Sequence, residues 1–194
     1  MGLSKCGGTA LQADNVINQG EGTALSFGGK VAVNGAGSFL DDIYNSQKNI
    51  INQWKNTIAN ATNISKGNFG EMTSDAFLAE NNFQALHTRL QSIDAPTQQG
   101  IDGVFKKGNE YFIVEVKYKG TATLSTLTDG TKQMSDAWIR GNNRLIDAVD
   151  GNQTIYDNIL NTGYKRLLAE VAPDGTVIYK ELDASAGVLS VFNP

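Results

Sequence analysis

Apolar and polar positions divide this chain into two parts. Residues 1–37 are rich in Gly, Ala, Asn, Ser and Thr and hold no helical period, which is typical of an extended linker or a weak interaction segment. Residues 38–194 carry apolar residues at regular spacings, a pattern that predicts packed secondary structure. We therefore expect a Gly-rich linker or N-terminal extension at 1–37 and one globular domain at 38–194.

The first elements of the domain are predicted to be helices. Ser38 and Asp41 have the spacing of a capping box, and apolar residues then recur at helical spacing to about residue 58. A second helix is predicted at 71–80, behind a Gly-bearing start. Residues 81–90 alternate loosely between apolar and polar, so we expect a short strand there.

Two strands joined by a short turn form the clearest pattern in the chain. Residues 101–105 and 111–118 are predicted strands, and residues 106–109 are predicted to be the hairpin turn between them. In the second strand, apolar residues alternate with a set that contains Glu115 and Lys117. This pair of strands carries the chemistry discussed below.

The remaining pattern completes a fold class. Residues 121–131 are Thr-rich and β-prone, residues 132–149 predict one long helix, and residues 153–160 predict a short one. Strands are predicted at 166–171 and 177–182, on either side of a Pro-Asp-Gly turn. This element order predicts an α/β fold, with a mixed central β-sheet flanked by helices.

Composition excludes several site chemistries. The chain has one Cys, Cys6, and one His, His87, so an intrachain disulfide framework and a Cys/His zinc cage are ruled out. No apolar run reaches the ~18 residues of a membrane span, and the N-terminus shows no signal-peptide pattern. The net charge of −4 counts against a nucleic-acid binder with a basic surface, but it is compatible with an enzyme that binds phosphate through a metal ion.

Asp102, Glu115 and Lys117 form the candidate site. Strand periodicity puts Glu115 and Lys117 on one face, and the hairpin brings their strand beside Asp102. Two carboxylates can hold Mg²⁺ or Mn²⁺, which activates a bound water, and an ammonium group beside it stabilises developing charge on a phosphate. The alternative is a solvated face with cross-strand ion pairs. A metal site is favoured because this pair interrupts an apolar strand, where burial of unpartnered charge is costly.

The order of four short segments resembles a known enzyme superfamily. Residues 100–105 (Gly-Ile-Asp-Gly-Val-Phe) and 111–118 (Tyr-Phe-Ile-Val-Glu-Val-Lys-Tyr) are similar to the core of the PD-(D/E)XK nucleases, the restriction-endonuclease-like superfamily. Gly70 and Glu71 are similar to the N-terminal glutamate segment of that core. Residues 132–139 (Lys-Gln-Met-Ser-Asp-Ala-Trp-Ile) resemble the Gln-bearing helix that follows it. The whole most resembles the nuclease domains of bacterial polymorphic toxins, including contact-dependent growth inhibition toxins.

This resemblance implies a restriction-endonuclease-like fold and a role for each matching residue. Asp102 and Glu115 would be metal ligands, and Lys117 would be the catalytic lysine. Glu71 would be a third acidic ligand or a base that orients water. Gln133 would support the lysine or the phosphate, and its alternative interpretation is a surface residue of the helix. The implied cofactor is Mg²⁺ or Mn²⁺, with Zn²⁺ also open.

Some features of the resemblance leave alternatives open. The similar region covers roughly residues 67–149, and Ile101 replaces the motif's proline while leaving the aspartate in place. Ser135 is either a helix cap or a phosphate contact. His87 is either a structural residue or an extra ligand or acid.

Basic residues flank the predicted site and are candidate phosphate-binding groups, with ordinary surface lysines as the alternative. The candidates for substrate binding are Lys106, Lys107, Lys119, Lys132 and Arg140, with Arg144 nearby.

The expected function is that of a metal-dependent endonuclease toxin that hydrolyses phosphodiester bonds, with DNA as the preferred substrate. A tRNA-cleaving RNase of the same fold and a non-catalytic nucleic-acid-binding module are the alternatives. The resemblance implies an effector released from a larger secreted or cell-surface protein, which acts in the cytoplasm of a competing bacterium. It also implies a cognate immunity protein, for which residues 121–131 and 171–179 are candidate strand-pairing segments.

Overall fold

The structure, a computed structural model, describes residues 23–27, 30–34, 38–96, 99–119 and 123–194. Its elements, in chain order, are β1 Thr23–Phe27, β2 Lys30–Asn34, α1 Ser38–Trp54, a 3₁₀ turn Ile58–Asn60, α2 Asn63–Glu80, β3 Gln84–Ala85, β4 Arg89–Leu90, β5 Gly103–Lys107, β6 Glu110–Tyr118, α3 Asp136–Arg140, α4 Arg144–Ala148, α5 Gln153–Thr162, β7 Lys165–Val171, β8 Val177–Leu182 and β9 Val188–Phe192. No helix within these ranges is long and apolar enough to cross a bilayer.

A six-stranded mixed sheet forms the centre of the domain, in the order β3-β5-β6-β7-β8-β9. Strands β6 and β7 are parallel, and the other neighbouring pairs are antiparallel. The parallel pair requires a crossover connection, which α3, α4 and α5 supply. The predicted mixed α/β architecture is therefore confirmed.

Helices cover both faces of this sheet. Val114 of β6 packs in one core cluster with Leu78 of α2, whereas Ile113 packs in another with Ile159 of α5. Successive residues of a strand face opposite sides, so α2 lies on one face and the α3–α5 layer on the other. Glu115 is two residues beyond Ile113 and faces the α3–α5 layer.

A hairpin of β1 and β2 lies inside the segment interpreted from sequence as a linker. Strand β2 pairs with β4, which makes a small second sheet in the order β1-β2-β4. Strands thus occur where the composition indicated an extended linker. Residues 1–22 lie outside the described residues, and the domain boundary at residue 38 stays a prediction.

The two predicted helices near residues 38 and 71 exist with different bounds. Helix α1 ends at Trp54, and Ile58 lies beyond it in a 3₁₀ turn, fully buried. Helix α2 begins earlier than predicted, because the Thr62 side chain caps it by accepting a hydrogen bond from the Ser65 backbone N at 3.1 Å. The expected start near Gly70 is therefore inside the helix.

The long helix predicted at 132–149 is wrong. Two five-residue helices, α3 and α4, are separated by Gly141, Asn142 and Asn143, and both asparagines adopt left-handed backbone angles, with φ of 51° and 59°. A continuous helix cannot pass through such residues. Residues 123–131 likewise form no strand, apart from a single bridge between Thr126 and Lys132.

A carboxylate cleft at the open end of strand β6

A cleft of about 750 Å³ opens where β6 extends past β5. Its walls come from the N-terminal half of α2, the segment before β5, the end of β6 and the segment between residues 125 and 150. All five residues predicted to be catalytic line it: Glu71, Asp102, Glu115, Lys117 and Gln133. The structure therefore brings together residues that are up to 62 positions apart in sequence, from Glu71 to Gln133.

Asp102 occupies the gap left by the short strand β5. Because β5 begins at Gly103, β6 continues beyond its pairing partner from Glu115 onwards. The Oδ2 atom of Asp102 accepts a hydrogen bond from the Val116 backbone N at 2.7 Å, and so replaces a ladder bond at this position. The carboxylate of Asp102 is thereby held next to the functional face of β6.

Glu115 is the most deeply buried acid of the cleft, with 2% of its surface exposed. Its Oε1 atom accepts two hydrogen bonds, from Lys117 Nζ at 2.7 Å and from Gln133 Nε2 at 2.6 Å. Its Oε2 atom is buried and has no hydrogen-bond partner among the described residues. A buried acceptor left in this state is destabilising by roughly 1–3 kcal/mol.

The electrostatic environment of Glu115 disfavours its charged form. Burial raises the pKa of the Glu115 carboxyl well above its usual range, and repulsion from Asp102 and Glu71 adds to the rise. Attraction to Lys117 lowers the pKa but does not compensate. The site therefore concentrates more negative charge than its own lysine neutralises, a situation that a bound cation relieves.

Gln133 is fixed by the segment that crosses the cleft. Its Oε1 atom accepts hydrogen bonds from the backbone N of Ser125 at 3.1 Å and from the Ser125 hydroxyl at 3.3 Å. This orients the amide nitrogen towards Glu115. The predicted placement on a helix is wrong, because Gln133 precedes α3 and the next residue, Met134, has a left-handed φ of 70°. Only 9% of Gln133 is exposed, so it is not a surface helix residue.

Glu71 reaches the cleft from α2 through a close helix–strand approach. Gly70 precedes it, and a Cβ at that position would lie 3.2 Å from Cγ1 of Val116. The glycine therefore allows α2 to pack tightly against β6 and brings the Glu71 side chain to the cleft wall. This close packing gives a structural reason for the glycine that precedes Glu71 in the sequence.

The acidic residues do not form a ready-made three-ligand cage. Within the described ranges, no group of three His, Cys, Asp or Glu side chains stands close enough to hold a metal ion. The donors present are carboxylate oxygens, which suit hard cations. Mg²⁺ is commonly held through one or two carboxylates while it keeps several waters, so Asp102 and the unpartnered oxygen of Glu115 fit such an ion.

The predicted substrate-binding cations lie away from the cleft. The Nζ atom of Lys106 lies 5.7 Å from the centre of the Tyr111 ring, near the turn of the β5–β6 hairpin. The Nζ atom of Lys107 lies 4.6 Å from the centre of the Phe83 ring. None of the five predicted cations is among the cleft-lining residues: Lys106, Lys107, Lys119, Lys132 and Arg140.

The other three predicted cations are occupied or exposed elsewhere. Lys132 donates to the Ala186 carbonyl at 2.7 Å, and Arg140 lies 6.0 Å from the centre of the Tyr164 ring. Lys119 is exposed one residue beyond β6. The cations that line the cleft, apart from Lys117, are Lys66 and Arg144. The structure therefore gathers the predicted acids in one cleft, whereas of the basic residues named from the sequence only Lys117 and Arg144 belong to its lining.

His87 touches the cleft but belongs to a buried polar network. Its Nε2 atom lies 3.2 Å from Asp75 Oδ1, and its Nδ1 atom lies 3.0 Å from the Val104 carbonyl. With both ring nitrogens in contact with protein groups, the structural interpretation of His87 is the better one. Ser135 is a helix cap, because its hydroxyl accepts from the Trp138 backbone N at 3.3 Å.

Comparison with family models, curated proteins and solved structures finds no match to this chain. The fold class therefore rests on the topology described above. The resemblance to nucleases rests on the motif residues of the sequence alone.

Proposed function

We propose that this protein is a metal-dependent nuclease of restriction-endonuclease-like fold, and that the β6 cleft hydrolyses phosphodiester bonds. The observation that carries the proposal is the Oε2 atom of Glu115, which is buried, without a partner among the described residues, and set beside the carboxylates of Asp102 and Glu71. A bound cation would supply the partner that this oxygen lacks among the described residues.

Asp102 and Glu115 would hold the ion, with Glu71 nearby to bind or orient a water. When bound, Mg²⁺ or Mn²⁺ supplies a more acidic water and a positive charge near the phosphate oxygens. The hydrogen bonds within the cleft orient Glu115 for such an ion. Gln133 and Lys117 both donate to Oε1 of Glu115, which leaves Oε2 directed away from those donors.

Lys117 is placed to act on the substrate. Its ammonium lies 2.7 Å from Glu115 Oε1, and its side chain keeps 17% exposure at the cleft wall. An ammonium in a partly dehydrated site stabilises charge that develops on phosphate oxygens. In the absence of substrate, the contact with Glu115 holds the lysine in position.

A cleavage assay tests the proposal. Plasmid DNA and total tRNA are incubated with the protein in Mg²⁺, in Mn²⁺ and in EDTA. We expect cutting with a metal and none in EDTA, and we expect the Lys117→Ala and Asp102→Ala variants to lose at least about a hundredfold in rate. DNA is the preferred substrate in this proposal, and cutting of tRNA alone identifies the RNase alternative.

Lys180→Ala is the matched control. Lys180 also lies on the central sheet in an ion pair, with Glu170 at 2.6 Å, but it does not line the cleft. The Lys180→Ala variant should cleave nucleic acid at the rate of the wild type. Full activity of both Lys117→Ala and Asp102→Ala would refute the site. Binding of nucleic acid without cutting under any metal condition would support the non-catalytic module instead.

The biological role proposed is that of a toxin delivered into a competing bacterium and blocked by an immunity protein. The motif resemblance supports this role. Production of the wild-type chain in a bacterial cytoplasm should stop growth and degrade the nucleic acid that is cut in vitro, whereas the Lys117→Ala variant should not. Normal growth despite confirmed nuclease activity in vitro would separate the enzyme from the toxin role.

A further inference from the structure

On the wall of the cleft formed by α3 and α4, the guanidinium of one arginine is held in a fixed position by contacts with the protein. Arg144 is the first residue of α4 and lines the cleft together with Trp138. The guanidinium carbon lies 4.6 Å from the centre of the Trp138 ring. Its Nη1 atom donates to the carbonyls of Trp138 at 2.9 Å and Gly141 at 3.1 Å.

These contacts use only part of the hydrogen-bonding capacity of Arg144. A guanidinium has five N–H donors and keeps its charge at any physiological pH. The contacts to Trp138 and Gly141 involve Nη1 alone. No carboxylate of the described residues forms an ion pair with Arg144. The charge is therefore fixed in place, and Asp129 interacts with it electrostatically without forming an ion pair.

The backbone that precedes Arg144 adopts conformations that most residues disfavour. A Cβ on Gly141 would lie 2.7 Å from the Ala137 carbonyl oxygen, so only glycine fits at that position. The next two residues, Asn142 and Asn143, have left-handed φ angles of 51° and 59°. Such conformations are costly and tend to persist where a site needs them. Here they end α3 and present Arg144 to the cleft at the start of α4.

One short segment positions both this arginine and the acidic cluster. Gln133 holds Oε1 of Glu115, and five residues later Trp138 supports Arg144 through its ring and its carbonyl. The anchor and the catalytic acids are thus tied to the same piece of chain. Both groups line one cleft of about 750 Å³, which has room for more than a single phosphate.

We propose that Arg144 binds a phosphate of the nucleic-acid backbone adjacent to the one that is cleaved. This inference rests on the proposed function and assigns a substrate contact to it. A guanidinium recognises phosphate through paired charge-assisted hydrogen bonds. Asp147 and Asp150 line the same end of the cleft and oppose an anion there, although Asp150 is held by the Thr88 hydroxyl at 2.7 Å. Among the cations that line the cleft, Arg144 is the one carried by the wall formed by α3 and α4.

The test measures binding separately from chemistry. A fluorescent DNA duplex and a fluorescent tRNA are titrated with protein in EDTA, over a range of salt concentrations. Arg144→Gln removes the charge but keeps an amide that can donate to the carbonyls of Trp138 and Gly141. We expect this variant to bind about tenfold more weakly, and the slope of log K against log salt on the duplex to become shallower by about 0.9, as for one lost phosphate contact.

Two further variants isolate the phosphate role. Lys165→Gln removes one positive charge from an ion pair with Glu110 outside the cleft and should leave affinity and slope unchanged. Arg144→Lys should restore part of the affinity and the full slope. In the cleavage assay, Arg144→Gln should raise KM about tenfold and change kcat by less than about threefold, because a contact made equally in ground and transition states changes KM.

The outcomes separate this inference from the proposed function. If the wild type neither binds nor cuts nucleic acid, the proposed function fails, and the assignment of Arg144 fails with it. If the wild type cuts and Arg144→Gln keeps the wild-type affinity and slope, only the Arg144 contact is overturned. A lower melting temperature, with kcat reduced and no change in slope, would make Arg144 a structural residue and would also overturn it.

Discussion

Two buried carboxylates have opposite environments: Glu115 lines the cleft, and Asp75 contacts the cleft-lining residue His87. Asp75 is 4% exposed and Glu115 is 2% exposed. Both oxygens of Asp75 have partners, since Oδ1 lies 3.2 Å from His87 Nε2 and Oδ2 accepts from Gln47 Nε2 at 3.1 Å. Glu115 has two donors on one oxygen and, among the described residues, none on the other.

The pKa values of the two acids shift in opposite directions for this reason. Burial raises the pKa of the Asp75 carboxyl, but attraction to His87 and Arg89 and hydrogen bonds from His87 and Gln47 outweigh it, so the pKa is lowered. Burial also raises the pKa of Glu115, and there the neighbouring Asp102 adds to the effect. Similar burial therefore accompanies a fully partnered carboxylate in one case and, under the proposed function, a cation ligand in the other.

The Asp75 network also has a clear structural task. Gln47 belongs to α1, Asp75 to α2 and Arg89 to β4, and the Arg89 guanidinium donates to the Gln47 side-chain oxygen. Gln47 additionally donates to the Leu90 carbonyl at 2.9 Å. The network therefore links two helices and a strand through side-chain contacts. The Glu115 cluster, in contrast, leaves one buried carboxylate oxygen without a hydrogen-bond partner among the described residues.

The largest expected effect comes from Asp75→Ala. Removal of this carboxylate leaves Arg89 buried without its counter-charge, with Nε 3.6 Å from the lost oxygen. Loss of one partner of a buried ion pair typically costs about 3–5 kcal/mol. Urea unfolding should therefore show a free energy of unfolding lower by about that amount. Asp157→Ala is the control, because Asp157 is exposed on α5 and accepts a hydrogen bond from Gln153, and it should change stability by less than about 0.5 kcal/mol. Equal effects of the two substitutions would remove the structural role of the network.

The next effect concerns metal binding. Mn²⁺ at about 100 times its dissociation constant should raise the free energy of unfolding of the wild type by about 2.7 kcal/mol. The Glu115→Gln variant should show no such rise, because the oxygen that would bind the ion is replaced. Asp75→Asn, although less stable, should keep the full metal-induced rise. Thermal unfolding with and without Mn²⁺ measures all three, and a rise retained by Glu115→Gln would exclude Glu115 as a ligand.

Local patterns were sufficient to predict the strands that carry the site. Strand β6 was predicted at 111–118 and spans Glu110–Tyr118, because its alternation and the Gly-Asn turn before it are short-range signals. The positions of Asp102, Glu115 and Lys117 followed from strand pairing alone. Strands β7 and β8 were predicted for the same reason, since they flank a Pro-Asp-Gly turn.

Features that depend on tertiary contacts were missed. The Asp75 network joins residues 47, 75, 87 and 89, whose spacing follows no helix or strand period. The break between α3 and α4 was not predicted, because the apolar residues of 132–149 recur at the spacing of one helix, whereas Asn142 and Asn143 turn the chain. Strand β9 was missed as well, since its residues are mostly exposed and show little alternation. The sequence thus reveals where the acids and Lys117 lie on a strand, but not that the fold adds Lys66 to the lining of the cleft.

A smaller effect is expected from Glu115→Gln without metal. The wild type carries the unfavourable burial of this carboxylate and its repulsion from Asp102 and Glu71. A neutral amide of the same size still accepts from Lys117 and Gln133. We expect the metal-free variant to be more stable than the wild type by about 1 kcal/mol at pH 7.5, as judged by urea unfolding. An inactive but stabilised variant is the signature of a site built for a ligand, whereas a destabilised one would assign Glu115 to the same structural class as Asp75.

The smallest effect is a difference in acid sensitivity between the wild type and Asp75→Asn. The folded state lowers the pKa of Asp75, so the stability that this carboxylate contributes is complete above its usual pKa and is lost as the pH falls through the lowered value. The charged or titrating groups that face it are His87, Arg89 and the Tyr179 hydroxyl, whose own pKa is raised chiefly by burial and partly by Asp75. Urea unfolding from pH 7 to pH 3 should therefore show a steeper decline in the wild type than in Asp75→Asn, with the two curves converging in acid. Parallel curves would mean that the ionised carboxylate adds nothing to the fold, and the contrast with Glu115 would then reduce to a difference in hydrogen bonding.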